Sequence, residues 1–231
     1  MFIMEEITSK SVLDANGHVA MCTRVRKENG TVIARTLSIP QYVQLFEKNA
    51  FREDKDVFFH VEKERPVNYH DSWISKKGWK CVMDIPAGKH GFTYMDIRNY
   101  HVIPFPRLLY FVFSLEGRVR ETHMFAVKGN KPITKSTVLY AYPFGNVQVS
   151  GHVCMGNIPL PKNCDMRETC ESLQKAFFDG ITNNDYFSED RNTSKIDQKE
   201  LIRRLDDLEV FPENELTESG FTYGEFMKKF L

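Results

Sequence analysis

The first hundred residues alternate short apolar and β-branched runs with turn-forming residues, a pattern typical of strands joined by turns. Runs at residues 18–26 and 31–37 flank Glu28-Asn29-Gly30, and the Asn-Gly pair favours a tight hairpin between them. The other elements predicted in this part of the chain are strands at residues 57–61, 79–83 and 92–97 and a helix at residues 40–48.

A second group of strands is predicted after the Ile-Pro-Phe-Pro segment at residues 103–106. Its three consecutive apolar runs lie at residues 108–115, 119–127 and 137–142. Glu116-Gly117 predicts a tight turn between the first two runs, and a wider turn is predicted before the third. An irregular segment is expected to follow, up to Leu160.

Two helices are predicted in the last third of the chain. The first begins near Asp165, a residue type that caps helix N-termini, and ends near Phe178, before Gly180. The second is predicted at residues 197–210. One face of it carries an apolar stripe that fits either the core or a partner surface, namely Leu201, Ile202, Leu205 and Leu208. Residues 212–231 turn from acidic to aromatic, which fits either a short packed helix or a mobile end.

These patterns predict an α+β fold in which helices flank an antiparallel sheet. Three parts are predicted along the chain. An N-terminal α/β extension or interwoven module takes residues 1–100, a core takes residues 101–190, and a C-terminal helical tail takes residues 191–231.

Charge and composition narrow the class of protein. The 231 residues include 31 basic and 31 acidic side chains, so neither nucleic acid nor an anionic membrane surface is expected as a partner. No apolar run approaches the roughly 18–20 residues of a membrane span, and the first residues lack the pattern of a signal peptide. The 5 cysteines, an odd number, fit a reducing compartment. A cytoplasmic protein is therefore expected.

The segment with the clearest chemistry is YPFGNVQVSGHVCMG, at residues 142–156. A thiolate such as that of Cys154 attacks a carbonyl to give an oxyanion, and an amide N–H such as that of Asn146 stabilises it. The residue types alone leave simpler explanations open. A single cysteine in a strand-like run is often a small buried apolar residue, and asparagine beside glycine often serves a left-handed turn.

The segment resembles the active-site loop of ubiquitin-conjugating enzymes. That loop has the pattern His-Pro-Asn, then a glycine, then a hydrophobic residue directly before the catalytic cysteine. Asn146 precedes Cys154 by the spacing of that family, and Gly151 and Val153 match the glycine and the hydrophobic residue. Phe144-Gly145 stands where the family has His-Pro, which leaves the conformation of the loop open.

A closer resemblance is to prokaryotic family D of the ubiquitin-conjugating-like proteins, also called protein B of the PRTRC system. It covers about residues 104–185 and rests on several motifs in the right order. These motifs are FAVKGNKPIT at residues 125–134, LYAYPFGNV at 139–147, GHVCMGNIPLPK at 151–162 and KAFFDGITNND at 175–185.

The resemblance implies a ubiquitin-conjugating-enzyme-like fold and a specific activity. An adenylating activating enzyme would pass the C-terminal glycine of a ubiquitin-like protein to Cys154 as a thioester. An amine of a target protein would then attack while Asn146 stabilises the oxyanion. No cofactor is expected. Family members resemble parts of bacterial operons for ubiquitin-like conjugation, and a role in defence against phage is an extension of that resemblance.

Other groups near the cysteine have competing explanations. Asp165 and Asp179 are candidates to deprotonate the acceptor amine, but each also fits a helix end. His152 shares a strand face with Cys154 and fits a base or a plain hydrogen-bonded histidine. His152 and Cys154 with Cys164 and Cys170 could suggest zinc, but no Cys-x-x-Cys pair is present and no metal is expected.

Two other functions remain open on sequence alone. The chain could keep the fold of a conjugating enzyme and only hold a ubiquitin-like protein or an activating enzyme. It could also be a scaffold in which Cys154 is a core residue. An accessible, readily alkylated Cys154 favours the enzyme over both.

Overall fold

The structure of the chain is a computed structural model. It describes residues 69–95, 100–156 and 165–231 in full and, before residue 69, the backbone of four strands. The chain divides into two compact units, Met1–Cys81 and Val82–Leu231. The predicted helix at residues 40–48 and the predicted turn at Asn29-Gly30 lie outside the described residues.

The first unit contains an antiparallel sheet of three strands, in the order β1-β2-β3. Its strands are β1 (Glu6–Leu13), β2 (Val19–Arg26) and β3 (Val32–Ser38). The predicted strands at residues 18–26 and 31–37 are thus confirmed, whereas β1 was not predicted. Two more strands of this unit pair antiparallel, β4 (Phe59–His60) and β5 (Tyr69–Ile74).

Eight strands and three α-helices follow in the described residues of the chain. The strands are β6 (Gly78–Ile85), β7 (Gly88–Tyr94), β8 (Tyr100–Phe105), β9 (Arg107–Leu115), β10 (Arg118–Val127), β11 (Val138–Ala141), β12 (Ile181–Thr182) and β13 (Glu218–Thr222). The α-helices of the described residues are α1 (Met166–Asp179), α2 (Gln198–Asp206) and α3 (Tyr223–Phe230). The fold is therefore mixed α+β, as predicted.

The main sheet of the second unit has the strand order β13-β11-β10-β9-β6. The pairs β9–β10, β10–β11 and β11–β13 are antiparallel. Glu116 and Gly117 both have positive φ, which is the geometry of a two-residue hairpin turn between β9 and β10. The three consecutive strands and the tight turn predicted for residues 108–142 are confirmed.

Strand β9 explains why this sheet is covered on both faces. Its residues from Leu108 to Val112 are completely buried, and a continuous apolar strand has no side suited to solvent. Tyr110 contacts Phe177 of α1, whereas its neighbour Phe111 contacts Phe226 of α3. Because successive side chains of a strand point to opposite faces, α1 and α3 pack on opposite sides of the sheet.

A smaller sheet has the order β12-β7-β8. Strands β7 and β8 are antiparallel, and β12 pairs parallel with β7 through Ile181–Thr93 and Thr182–Tyr94. The strand predicted at residues 92–97 is shifted, because β7 already begins at Gly88 and ends at Tyr94. Gly88 and Gly91 weaken the strand pattern in the sequence, so the prediction missed the first half of β7.

An aspartate caps each of the first two helices, and the cap predicted at Asp165 is confirmed. Asp165 caps α1, where its Oδ1 accepts a hydrogen bond from the Glu168 N–H at 2.8 Å, and Asp197 caps α2 in the same way. Leu201, Ile202 and Leu205 are buried, so the stripe on α2 belongs to the core.

Helix α2 was predicted to continue to residue 210, which is wrong, since it ends at Asp206. Asp206 and Asp207 put two carboxylates beside the partial negative charge of the helix C-terminus, which disfavours a further turn. Leu208, predicted to lie on the apolar face, follows the helix and is exposed.

The C-terminal residues pack against the main sheet. Strand β13, which was not predicted, pairs with β11, and α3 follows it directly. Thr222 and Glu225 form a reciprocal capping box at the start of α3. Phe226 contacts both Phe111 and Phe125, so α3 closes one face of the sheet. None of the described helices is long and apolar enough to cross a membrane.

Candidate functional site

Residues 146–154 form a small β-hairpin. Val147 and Val153 are an antiparallel bridge pair, and the Gln148 N–H donates to the His152 carbonyl at 2.8 Å. One position further out, the Cys154 N–H donates to the Asn146 carbonyl at 2.7 Å. Asn146 and Cys154 therefore lie directly opposite each other. The spacing recognised in the sequence is the spacing that this hairpin needs to bring the two together.

The turn of the hairpin requires glycine at its end. The Gly151 N–H donates to the Gln148 carbonyl at 2.9 Å, and Gly151 has a φ of +85°, which favours glycine. A Cβ at Gly151 would overlap the ring of Phe125 from β10. Backbone angle and space therefore both exclude a side chain at this position.

Main-chain hydrogen bonds attach the Cys154 arm of the hairpin to β10. The Val153 N–H donates to the Thr122 carbonyl at 2.9 Å, and the Met124 N–H donates to the Gly151 carbonyl at 2.8 Å. His152 forms a bridge pair with His123 of β10. The residues that precede Cys154 thus extend the main sheet, which fixes the position of the thiol through the backbone.

The Asn146 arm is held in a different way. Asn146 has a φ of +65°, a left-handed conformation that asparagine tolerates better than most residues. Its backbone N–H donates to the Asp185 carbonyl at 2.8 Å, and its side-chain Nδ2 donates to the Ile181 carbonyl at 3.0 Å. The Asn183 N–H donates to Asn146 Oδ1 at 3.3 Å. Among the described residues, the second N–H bond of Nδ2 has no acceptor.

Phe144 and Gly145 determine the conformation of the chain directly before Asn146. Phe144 is completely buried and packs against Phe92 and Phe105. The buried Gly145 N–H donates to Oε1 of Gln198. A Cβ at Gly145 would overlap the Asn183 carbonyl oxygen, so this position has no room for a side chain.

Two buried side chains, Arg191 and Gln198, form what we call the polar clamp. Arg191 donates from Nη1 to the Tyr142 carbonyl at 3.1 Å and from Nη2 to the carbonyls of Val147 at 2.6 Å and Tyr186 at 3.0 Å. Burial lowers the pKa of Arg191, and the three carbonyl oxygens stabilise its charge. Gln198 adds a hydrogen bond from Nε2 to the Asn183 carbonyl at 2.9 Å.

The cysteines differ in accessibility. Cys81 and Cys170 are 0% exposed, whereas Cys154 is half-buried. Cys164, one of the four groups considered for zinc, lies outside the described residues. Within the parts of the chain that the structure describes, no group of three or more His, Cys, Asp or Glu side chains is placed to hold a metal ion.

The two carboxylates considered from the sequence both have structural partners. Asp165 caps α1, and Asp179 forms an ion pair with Lys175 at 3.2 Å. Asp185, not considered from the sequence, is exposed and accepts the backbone hydrogen bond of Asn146. Its side chain accepts a hydrogen bond from Asn183 Nδ2 at 2.8 Å.

His152 faces an aromatic cluster. Its ring meets the ring of His123 edge to face at a centroid distance of 5.7 Å, and His123 packs against Phe226 in turn. His123 Nε2 contacts Glu121 Oε1 at 2.5 Å, whereas the buried Nδ1 atoms of both histidines have no hydrogen-bond partner among the described residues. These contacts favour a packing role for His152 over that of a base.

The polar clamp was not found from the sequence. Arg191 lies in a polar loop and Gln198 at the first turn of a helix, where both residue types are ordinary. Gln198 and Gly145, which it contacts, are 53 residues apart. Nothing local in the sequence distinguishes these two residues from solvent-exposed ones.

Comparison with known proteins supplies the family. No curated protein and no solved structure shows significant similarity to the chain. The sequence profile of prokaryotic E2 family D matches residues 59–219, which include both arms of the hairpin and both residues of the polar clamp. This match extends beyond residues 104–185, over which the sequence motifs were recognised. Because the match covers more than half of the length of the chain, the chain belongs to prokaryotic E2 family D.

Proposed function

We propose that this chain accepts a ubiquitin-like protein as a thioester on Cys154 and transfers it to an amine of a target protein. The observation that carries the proposal is the hairpin of residues 146–154. It sets a half-buried cysteine opposite an asparagine in a chain of an E2-like family. The other cysteines with described side chains are fully buried.

The first step is an exchange of thioesters. The Sγ of Cys154, as thiolate, attacks the carbonyl carbon of the modifier's C-terminal glycine, which an adenylating activating enzyme carries as a thioester. A new S–C bond forms and the S–C bond to the activating enzyme breaks, so its thiol is released. The main-chain bonds to β10 hold Cys154 in place during this step.

The second step is aminolysis. An amine of the target attacks the thioester carbon, a C–N bond forms, and the negative charge collects on the carbonyl oxygen. The second N–H bond of Asn146 Nδ2 stabilises that charge, and removing such a donor costs about 10²–10³ in rate. Cys154 then leaves as thiolate, and the amine gives up one proton.

Asp185 is the carboxylate we assign to the acceptor amine. A lysine amine is mostly protonated at neutral pH, with a pKa of about 10.4 in model peptides, so a nearby carboxylate assists its deprotonation. Asp185 is exposed, and two successive backbone hydrogen bonds join it through Asn146 to Cys154. Asp165, Asp179 and Asp185 each have a hydrogen-bonding or ion-pair partner, so the choice of Asp185 rests on its backbone bond to Asn146.

The proposal includes the fold and the partners. We assign a ubiquitin-conjugating-enzyme-like fold to a core at residues 101–190, with residues 1–100 as an extension. The C-terminal residues 191–231 contribute Arg191 and Gln198 to the site. The partners are a ubiquitin-like protein, an adenylating activating enzyme and a target protein of a bacterial conjugation pathway.

An acyl-transfer assay tests the proposal with defined probes. Hippuryl thiophenyl ester presents a glycine thioester, and Cys154 should take up the hippuryl group with release of thiophenol. Free lysine should then take the hippuryl group as an amide and regenerate the thiol of Cys154. Mass spectrometry of the protein follows both steps. The hippuryl thioester of N-acetylcysteine is the control. If Cys154 takes up no hippuryl group, or loses it to lysine no faster than the control, the proposed function is wrong.

A specific observation favours a second function. Asn146 is already bonded through Nδ2 and Oδ1 to the segment of residues 181–183, which suits a purely structural asparagine. The chain would then be a non-catalytic module that holds a ubiquitin-like protein or an activating enzyme. Uptake of the hippuryl group without accelerated transfer to lysine would support this alternative.

A further inference from the structure

Both arms of the hairpin need support, but only one of them obtains it from the sheet. The Cys154 arm is bonded through its backbone to β10, whereas the Asn146 arm meets the segment of residues 181–186. That segment contributes only a short strand, Ile181–Thr182, and continues in turns. Apart from the main-chain bond between Asn146 and Asp185, side chains therefore hold the Asn146 arm.

The polar clamp meets this need from both ends of the arm. Gln198 accepts from Gly145, directly before Asn146, and donates to the carbonyl of Asn183, whose N–H in turn bonds Asn146 Oδ1. Arg191 bonds the carbonyl of Val147, directly after Asn146. Gln198 is 1% exposed and Arg191 2% exposed, so neither exchanges its partners with water.

We propose that Gln198, together with Arg191, is a positioning residue for acyl transfer, acting through Asn146. Gln198 sets the direction of the Asn146 amide toward the oxyanion, and it has no part in the uptake of the acyl group by Cys154. This inference rests on the proposed function. Because an error of about 1 Å in such geometry can cost on the order of 10²-fold in rate, the clamp need not touch the reactants to matter.

The acyl-transfer assay separates uptake from transfer. Gln198→Met keeps the length of the side chain and removes its hydrogen bonds to Gly145, Asn183 and Asn184. We expect the rate of hippuryl uptake on Cys154 to stay within about twofold of the wild type, and the transfer to lysine to slow by at least about tenfold. The lysine concentration at half-maximal rate should not change, since the loss lies in the maximal rate.

A double-mutant cycle tests whether Gln198 acts through Asn146. If it does, Asn146→Ala and the double variant with Gln198→Met transfer the hippuryl group at the same rate, because the second change has nothing left to misplace. Independent effects would multiply instead. A multiplicative result, or transfer by Gln198→Met at the wild-type rate, overturns the inference and leaves the proposed function intact.

Asn192 offers a matched control. It is 1% exposed and lies beside Arg191, but among the described residues its side chain bonds only the backbone of Ile196. Asn192→Ala should lower the thermal unfolding temperature without slowing transfer relative to uptake. If Asn192→Ala slows transfer as much as Gln198→Met does, the effect is general loosening and the inference is wrong.

Gln198→Asn serves if Gln198→Met does not fold. It keeps the amide and shortens its reach by one methylene, so it cannot bond Gly145 and Asn183 together. The same slower transfer and the same non-additivity with Asn146→Ala are expected. A wild-type protein that takes up no hippuryl group overturns the proposed function, and the inference with it.

Discussion

The two arms of the hairpin are a few ångströms apart and are held by different kinds of interaction. Around Cys154, the bonds to β10 run between main-chain atoms and belong to the sheet. Around Asn146, most bonds involve a side chain, from Asn146 itself, Gln198 or Arg191. Main-chain bonds survive most substitutions, whereas side-chain bonds do not. The nucleophile should therefore tolerate changes that displace the oxyanion donor.

This difference predicts that charging and transfer can be separated by mutation. A substitution in the Cys154 arm that affects reactivity should do so at the thiol itself. A substitution in the Asn146 arm or in the polar clamp should leave the thiol reactive and slow only its discharge.

The largest effect is expected at Cys154. Cys154→Ala should abolish the thiol-cleavable adduct with the acyl probe or a ubiquitin-like protein, because the loop contains no other thiol. Cys154→Ser should instead yield an oxyester that resists thiols, since a serine alkoxide is a poorer leaving group. Gel mobility with and without dithiothreitol measures both outcomes. An adduct that persists in Cys154→Ala would place the nucleophile elsewhere.

The next effect is expected at Asn146. Asn146→Ala should slow transfer to lysine by about 10²–10³-fold while uptake on Cys154 remains within a few-fold of the wild type. Single-turnover rates of uptake and discharge measure the two steps separately. Ser150→Ala, at the exposed tip of the same hairpin, is the control and should leave both rates unchanged. Equal losses in uptake and discharge would mean that the arms are not independent.

A smaller effect is expected at Gly145. Gly145→Ala puts a Cβ against the Asn183 carbonyl, so the Asn146 arm must shift, and transfer should slow by roughly tenfold. Gly88→Ala is the matched control, since a Cβ at Gly88 meets no atom within 4 Å. Discharge rates of the two variants provide the comparison. Identical rates would show that the arm absorbs the shift without harm.

The smallest effect is expected at Cys170. Cys170→Ala should take up and transfer the acyl group like the wild type, because this thiol is fully buried in α1. The variant should lose only about 1 kcal/mol of folding free energy, measured by denaturant unfolding. Cys164→Ala should also charge normally. A charging defect in either variant would question Cys154 as the acceptor.

The strands could be predicted because their signals are local, whereas the hairpin lies in a segment that was predicted to be irregular. Residues 108–142 are apolar runs broken by Glu116-Gly117, and the observed strands β9, β10 and β11 follow them closely. Asn146 and Cys154 were found through a family resemblance. Their opposition in the hairpin then follows from backbone register.

The missed features depend on contacts between distant residues. Strand β13 has only five residues and a glycine at its centre, and it exists because β11 offers a free edge. In the sequence, the two residues of the polar clamp are of types that usually lie on the surface. The fold buries both of them. The end of α2 was misplaced because the leucine periodicity continues beyond Asp206, although the charges there oppose another turn.

The hydrogen bond between Gly145 and Gln198 has an evolutionary consequence. A proline at position 145, as in the His-Pro sequence of the wider ubiquitin-conjugating family, has no N–H to donate, and its Cβ would overlap the Asn183 carbonyl. Exchanging Gly145 or Gln198 alone leaves a buried polar group without its hydrogen-bond partner. The two positions, 53 residues apart, should therefore vary together among homologues, and single-step intermediates between the two loop sequences should be selected against.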